Sequence, residues 1–118
     1  MSHNTCHQGA QNELIASIWL MQLGYEVFRN VSGGGPGDLV IWNPITDEKH
    51  IIDVKGVGTK WARHSMPLAK SRTHPNANVL FLVVRDGVVD GFWRAKQDRS
   101  RGTERFWPLA IAEPAVQP

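Results

Sequence analysis

The chain has 118 residues and 13.2 kDa, with 42% hydrophobic, 20% charged and 8% aromatic residues, which is the size of one compact domain and excludes a two-domain enzyme. It has no long apolar stretch and no basic-then-apolar leader, so the expectation is a cytoplasmic protein without a membrane span, and its single Cys6 cannot form an internal disulfide. The net charge of +2 is unevenly divided: residues 1–58 carry three basic against six acidic side chains, and residues 59–118 carry ten against five. That asymmetry fits a polyanionic partner, or a surface whose Lys and Arg serve solubility alone.

Thr5-Cys-His-Gln8 matches a capping box and opens a predicted helix that runs to about Leu23, with Gly24 as its left-handed stop. Leu14, Ile18 and Met21, joined by Ile15 and Trp19, recur at helical spacing and are the expected buried stripe. Glu13 lies off that stripe between Ala10 and Ser17, on a face of small residues that a ligand can approach. Tyr25 to Arg29 alternates as a short strand and leads into the loop Asn30-Val-Ser-Gly-Gly-Gly-Pro-Gly37.

Asp38 to Trp42 and Lys49 to Lys55 read as a β-hairpin around Asn43-Pro44. Between Gly56 and Asn78, Pro67 and Pro75 leave space for a short helix only. Val79 to Val84 is a fully apolar strand expected at the sheet centre, and Asp86-Gly87 turns it into a second hairpin with Val88 to Arg94. Arg94 to Arg105 is polar and basic, Phe106-Trp107 can dock on the core, and residues 114–118 read as a frayed tail.

The first hairpin carries the chemistry. With its turn centred between Ile45 and Thr46, Trp42 faces Lys49, Val40 faces Ile51 and Asp38 faces Asp53, so two carboxylates stand side by side. Lys55 shares the face of Asp53, because strand side chains alternate with period two. Carboxylates held so close repel unless a hard divalent cation joins them, and such a cation keeps waters and leaves room for a phosphate oxygen. The expectation is therefore a Mg²⁺ site, with Lys55 orienting the attacking water or stabilising phosphate charge and Glu13 binding the water or a second ion.

In their order, Glu13 on the helix, Pro36-Gly37-Asp38, and Asp53-Val54-Lys55 resemble the PD-(D/E)xK nuclease superfamily, and within it the archaeal-type Holliday junction resolvases, some of which are phage-borne. The likeness covers most of residues 9–94 and includes Gly9 to Gly24, Arg29, Ser32-Gly33, the apolar strand and Trp93-Arg94. It implies an α/β restriction-endonuclease-like fold over residues 1–118, a mixed sheet of about five strands flanked by helices. It also implies that Asp38, Asp53 and the Val54 carbonyl bind Mg²⁺, with Mn²⁺ able to substitute, that Glu13 and Lys55 are catalytic, and that Arg29 and Ser32 contact the scissile strand. Three departures stand out: Asp53 is usually Glu in that family, the helix that usually follows the Lys and builds a dimer interface has little space, and a basic residue that often follows the helix Glu is Leu14.

Gly33 to Gly37 leads into a strand and lacks a Gly-Lys-Ser/Thr ending, which excludes a nucleotide-phosphate loop; the glycines make a mobile DNA-approach loop or a plain connector. His3, Cys6 and His7 supply too few ligands, irregularly spaced, for zinc. Lys60, Arg63, Lys70, Arg72, Arg94, Lys96, Arg99, Arg101 and Arg105 are candidate phosphate contacts or solvated surface, and Trp61, Trp93 and Trp107 either stack on bases or pack in the core or a dimer. The expected function is Mg²⁺-dependent hydrolysis of four-way DNA junctions by a homodimer, since a junction has two-fold symmetry and needs two cuts. The alternatives are a related endonuclease acting on linear DNA and a catalytically inactive DNA-binding module.

Overall fold

The computed structural model describes residues 5–34, 37–57, 78–98 and 100–115, with side chains from His7 onward. The expectations placed on His3, Pro36, Lys60, Trp61, Arg63, Pro67, Lys70, Arg72, Pro75, Arg99 and the last three residues of the tail lie outside those described, and those on the side chains of Thr5 and Cys6 lie outside the described side chains. The elements are α1 (Thr5–Gln22), β1 (Glu26–Arg29), β2 (Leu39–Trp42), β3 (Lys49–Val57), β4 (Val79–Arg85), β5 (Val88–Ala95) and β6 (Thr103–Phe106).

The strands form one mixed sheet in the order β1-β2-β3-β4-β5-β6, with β3 and β4 parallel and every other neighbouring pair antiparallel. This is an α/β architecture, and it departs from the expected one in two ways. The sheet has six strands, and α1 is the one helix among the described residues. No helix there is long and apolar enough to cross a membrane.

Helix α1 stops where Gly24 takes φ 101°. The Tyr25 N–H reaches Leu20 O at 3.1 Å and the Gly24 N–H reaches Met21 O at 2.9 Å, a Schellman closure that satisfies carbonyls of the last turn. Its buried face keeps only Ile15 and Trp19 of the expected stripe. Ala16, Trp19 and Leu20 are buried, with Ile15 and Leu23 beside them, whereas Leu14, Ile18 and Met21 face outward. The helix is apolar on both faces, and the side bearing Ala16 and the large Trp19 ring wins because it combines a close approach with the greatest apolar area.

That face packs on Leu39, Ile41, Ile52, Leu82, Val84, Val89 and Phe92, and the segment after β6 closes the core with Leu109. Trp19, Phe92 and Trp107 meet with ring centroids 5.9–6.1 Å apart in tilted or edge-on arrangements. Of the tryptophans left open between bases and packing, Trp107 thus packs against the main core, and Trp93 is buried with Val83 on the opposite face of the sheet.

The strand β6 falls in the run expected to be merely polar. It is an edge strand, in which Arg94 bonds Glu104 across the ladder at 2.8 Å and lies over the Phe106 ring. Arg105 lies over Trp93 and bonds Asp90 at 2.7 Å, so both arginines proposed as phosphate contacts have partners within the protein.

Tyr25, which is buried, and the partly buried Glu48 and His50 form a clasp that the sequence did not signal. Glu48 accepts the Tyr25 hydroxyl at 2.5 Å and the Ala110 N–H at 2.8 Å, and lies 2.6 Å from His50 Nε2. Burial pushes the Tyr25 hydroxyl up and its bond to Glu48 pushes it further. Burial would also raise the Glu48 carboxyl, but the donors around it outweigh that and hold it below the ordinary range.

Candidate functional site

Four segments meet where β1 ends and β2 begins. Arg29 is the last residue of β1, paired with Leu39, and the connecting chain doubles back over itself before entering β2. Asn30 makes that path possible. Its backbone N–H bonds Asp38 O at 2.9 Å, while its side-chain Nδ2 donates to Gly34 O at 2.6 Å and Gly37 O at 2.7 Å. Its Oδ1 accepts the Ser32 N–H at 3.0 Å and the Ser32 hydroxyl at 2.6 Å. One amide side chain therefore serves two loop carbonyls and both Ser32 donors, leaving Ser32 exposed but with its hydroxyl turned inward.

Gly37 is required by proximity. A Cβ there would collide with the Ile51 side chain and come within 3.1 Å of Ile52 O, so only glycine lets the chain lie against β3. Asp38 follows, its N–H on Ile52 O at 2.8 Å.

The hairpin register runs as counted, Trp42 with Lys49 through Leu39 with Ile52, and there the ladder ends. Asp38 does not continue it to face Asp53 as a paired residue. Its backbone bonds one position short, and its carboxylate oxygen Oδ2 accepts the Val54 N–H at 2.8 Å. The acid is thereby fastened to β3 at the position between Asp53 and Lys55.

Glu13 reaches the same place from α1, with Oε1 3.7 Å from Arg29 Nε. Glu13, Arg29, Asn30, Gly33, Gly34, Gly37 and Asp38 line a cavity of about 210 Å³. Burial raises the Glu13 carboxyl above its ordinary value, the Asp38 charge raises it further, and Arg29 offsets part of this. The helix acid and the loop acid thus repel within one concavity.

Asp53 and Lys55 sit differently. Ile52 and Val54 pack into the core beneath α1, so alternation along β3 turns Asp53 and Lys55 to the other face, where Val57 packs with Val83 and Trp93. Asp53 is 8% exposed, and its cross-strand neighbour is Phe81. The structure brings together Glu13, Arg29 and Asp38, and it holds Asp53 and Lys55 one residue either side of Asp38's anchor. Among the described residues no three His, Cys, Asp or Glu side chains gather closely enough to hold a metal together.

The donor set still suits a hard cation. Two carboxylates that repel, one with Oδ2 on a backbone N–H and Oδ1 without a hydrogen bond among the described residues, match the one or two carboxylates Mg²⁺ usually takes from a protein. Sequence reasoning missed Asn30, although an Asn at the mouth of a glycine-rich turn is a known loop organiser. No family model matches the chain, and neither a curated protein nor a solved structure matches it.

Proposed function

We propose that this protein is a Mg²⁺-dependent endonuclease of the PD-(D/E)xK type that cuts four-way DNA junctions as a homodimer. The observation that carries the reading is the convergence of Glu13, Arg29 and Asp38 on one cavity, with Asp38 tied to β3 between Asp53 and Lys55. Glu13 and Asp38 would hold the ion, which supplies charge neutralisation and a more acidic water when bound. Burial and the Asp38 charge disfavour ionised Glu13, and a bound cation would relieve that repulsion. Arg29, exposed on the outer rim, holds a phosphate oxygen with Ser32 beside it, and Lys60, Arg63 and Arg72 extend the DNA contact. The resemblance would add Asp53, the Val54 carbonyl and Lys55 to this machinery, but alternation along β3 turns Asp53 and Lys55 to the other face of the sheet, so in this reading the ion rests on Glu13 and Asp38.

Among the described residues each chain carries one such cavity, while a junction of approximate two-fold symmetry needs two cuts, hence the dimer. The test is a synthetic four-way junction and its constituent duplex incubated with Mg²⁺, with Mn²⁺, and with chelator. Cutting of the junction alone, abolished by chelator, supports the reading. Equal cutting of duplex assigns a nuclease of linear DNA, and a junction bound but never cut assigns a DNA-binding module.

A further inference from the structure

At the opposite edge of the sheet from the candidate site, the ladder between β5 and β6 ends where Phe92 faces Phe106, while β5 runs back to Val88 beside β4. The flank of β5 past that point borders a cavity of about 200 Å³, walled by Trp19, Phe92, Phe106 and Trp107. That is less than the roughly 300–1,000 Å³ of a site for a drug-sized ligand, so it suits one ring system with the rest of the molecule outside. It shares no lining residue with the cavity of Glu13 and Asp38, and four strand spacings put it about 19 Å away across the sheet.

Three polar groups of the lining have binding capacity left. Trp19 is 5% exposed, and its indole N–H has no acceptor among the described residues, although buried donors are ordinarily satisfied. Arg105 lies over the Trp93 ring with one nitrogen 2.7 Å from Asp90 Oδ1, which leaves further N–H groups of its planar fork. Asp90 itself is spent on positioning: its Oδ2 accepts the Trp93 N–H at 2.9 Å, and it occupies the bulge beside Gly91, whose φ of 129° suits glycine. Glu113 is exposed, and its carboxylate takes no hydrogen bond or ion pair among the described residues.

We propose that this cavity binds a guanine base. Aromatic walls favour a flat ring. An organic cation would leave the Trp19 and Arg105 donors unused and an anion would meet Glu113, so the occupant is a neutral ring with acceptors along one edge and donors along another. Guanine presents O6 and N7 together, the pair an arginine fork reads, and its N1–H and amino N–H lie side by side for one carboxylate. With the base inside, sugar and phosphate stay in solvent, so the source is a free guanine nucleotide or an unpaired guanine of a strand. The site goes beyond the endonuclease reading and stands without it.

Binding is read on the full chain from the indole N–H resonances of isotopically labelled protein, the signal lost in Trp19→Phe identifying Trp19. Guanosine monophosphate should shift that signal with a midpoint of roughly 0.1–1 mM, and adenosine monophosphate should need at least about tenfold more. Glu113→Gln, on an exposed side chain, should weaken guanosine monophosphate at least about tenfold. Glu26→Gln, exposed on β1 at the other edge, should leave the midpoint in place. Should Trp19→Phe fail to fold, the Glu113→Gln comparison reads the same midpoint from whichever signals move. A thymine oligonucleotide with one central guanine, titrated in chelator so that no cleavage intervenes, distinguishes the sources: tighter binding than the monophosphate assigns a strand, and equal or weaker binding assigns the free nucleotide. No shift up to about 10 mM, adenosine monophosphate bound as tightly, a midpoint that Glu113→Gln leaves unchanged, or equal loss with Glu26→Gln would overturn the proposal.

Discussion

Asp38 Oδ2 accepts the Val54 N–H at 2.8 Å, a charge-assisted bond that couples the glycine loop to the strand bearing Asp53 and Lys55. The bond needs an oxygen and the proposed cation needs a negative one, so two substitutions separate the tasks. Asp38→Asn retains an acceptor for Val54 and is expected to fold with unchanged stability, to bind a four-way junction, and to lose cleavage by about 100-fold or more. Asp38→Ala removes the acceptor as well and should also cost about 1–3 kcal/mol in urea unfolding. Cleavage retained by Asp38→Asn would refute the site.

Asn30 makes the second prediction. Its amide serves the carbonyls of Gly34 and Gly37 and both donors of Ser32, a set no other single side chain replaces. Asn30→Ala should cost about 1–2 kcal/mol of unfolding free energy, and Asn30→Asp should be no better, because a carboxylate cannot donate to the two carbonyls. If either variant matches the parent in urea midpoint, the loop is held by its glycines and not by Asn30.

Much of this organisation was legible and part of it was not, for physical reasons that differ from residue to residue. The β2–β3 register could be counted because alternating Leu39, Ile41 and Ile52 have one buried face and Asn43-Pro44 marks the turn. The Asp86-Gly87 hairpin was equally plain, and both residues take positive φ. The helix stopped where Gly24 put it, but its orientation did not follow, since a helix apolar on two sides has no single stripe to read. Thr103 to Phe106 concealed an edge strand because its outward residues are charged and paired to β5. The departure of Asp38 from the ladder was beyond counting, for it depends on Gly37 lying against Ile51, a tertiary contact.

The clasp at Glu48 predicts an acid-sensitive contribution to stability. Its carboxyl is lowered from the ordinary 4.5 despite burial, by the Tyr25 hydroxyl, His50 and the Ala110 N–H. A group with a depressed folded value stabilises above its unfolded value and loses that contribution as pH falls through the folded one. Glu48→Gln should therefore unfold about 1–3 kcal/mol more easily at neutral pH, with the deficit shrinking as the medium is acidified below 4.5. Denaturant titrations across that range decide it, and a deficit independent of pH would assign the clasp to packing alone.

Glu13 behaves in the opposite sense, and this ties stability to the proposed ion. Its carboxyl is raised by burial and by Asp38, so the ionised form is disfavoured in the folded chain. The contribution is fully present below the unfolded value and lost as pH rises through the folded one, leaving the native protein carrying a penalty at neutral pH. Glu13→Gln should remove that penalty and melt higher than the parent at pH 7, losing little with Arg29, which is largely exposed. The gap should close on acidification. Millimolar Mg²⁺ binds only the folded arrangement of acids, so it should raise the melting temperature of the parent at pH 7 and not that of Glu13→Gln or Asp38→Asn. A parent whose melting temperature ignores Mg²⁺, or variants that respond as it does, would remove the cation from this cavity whatever the cleavage assay shows.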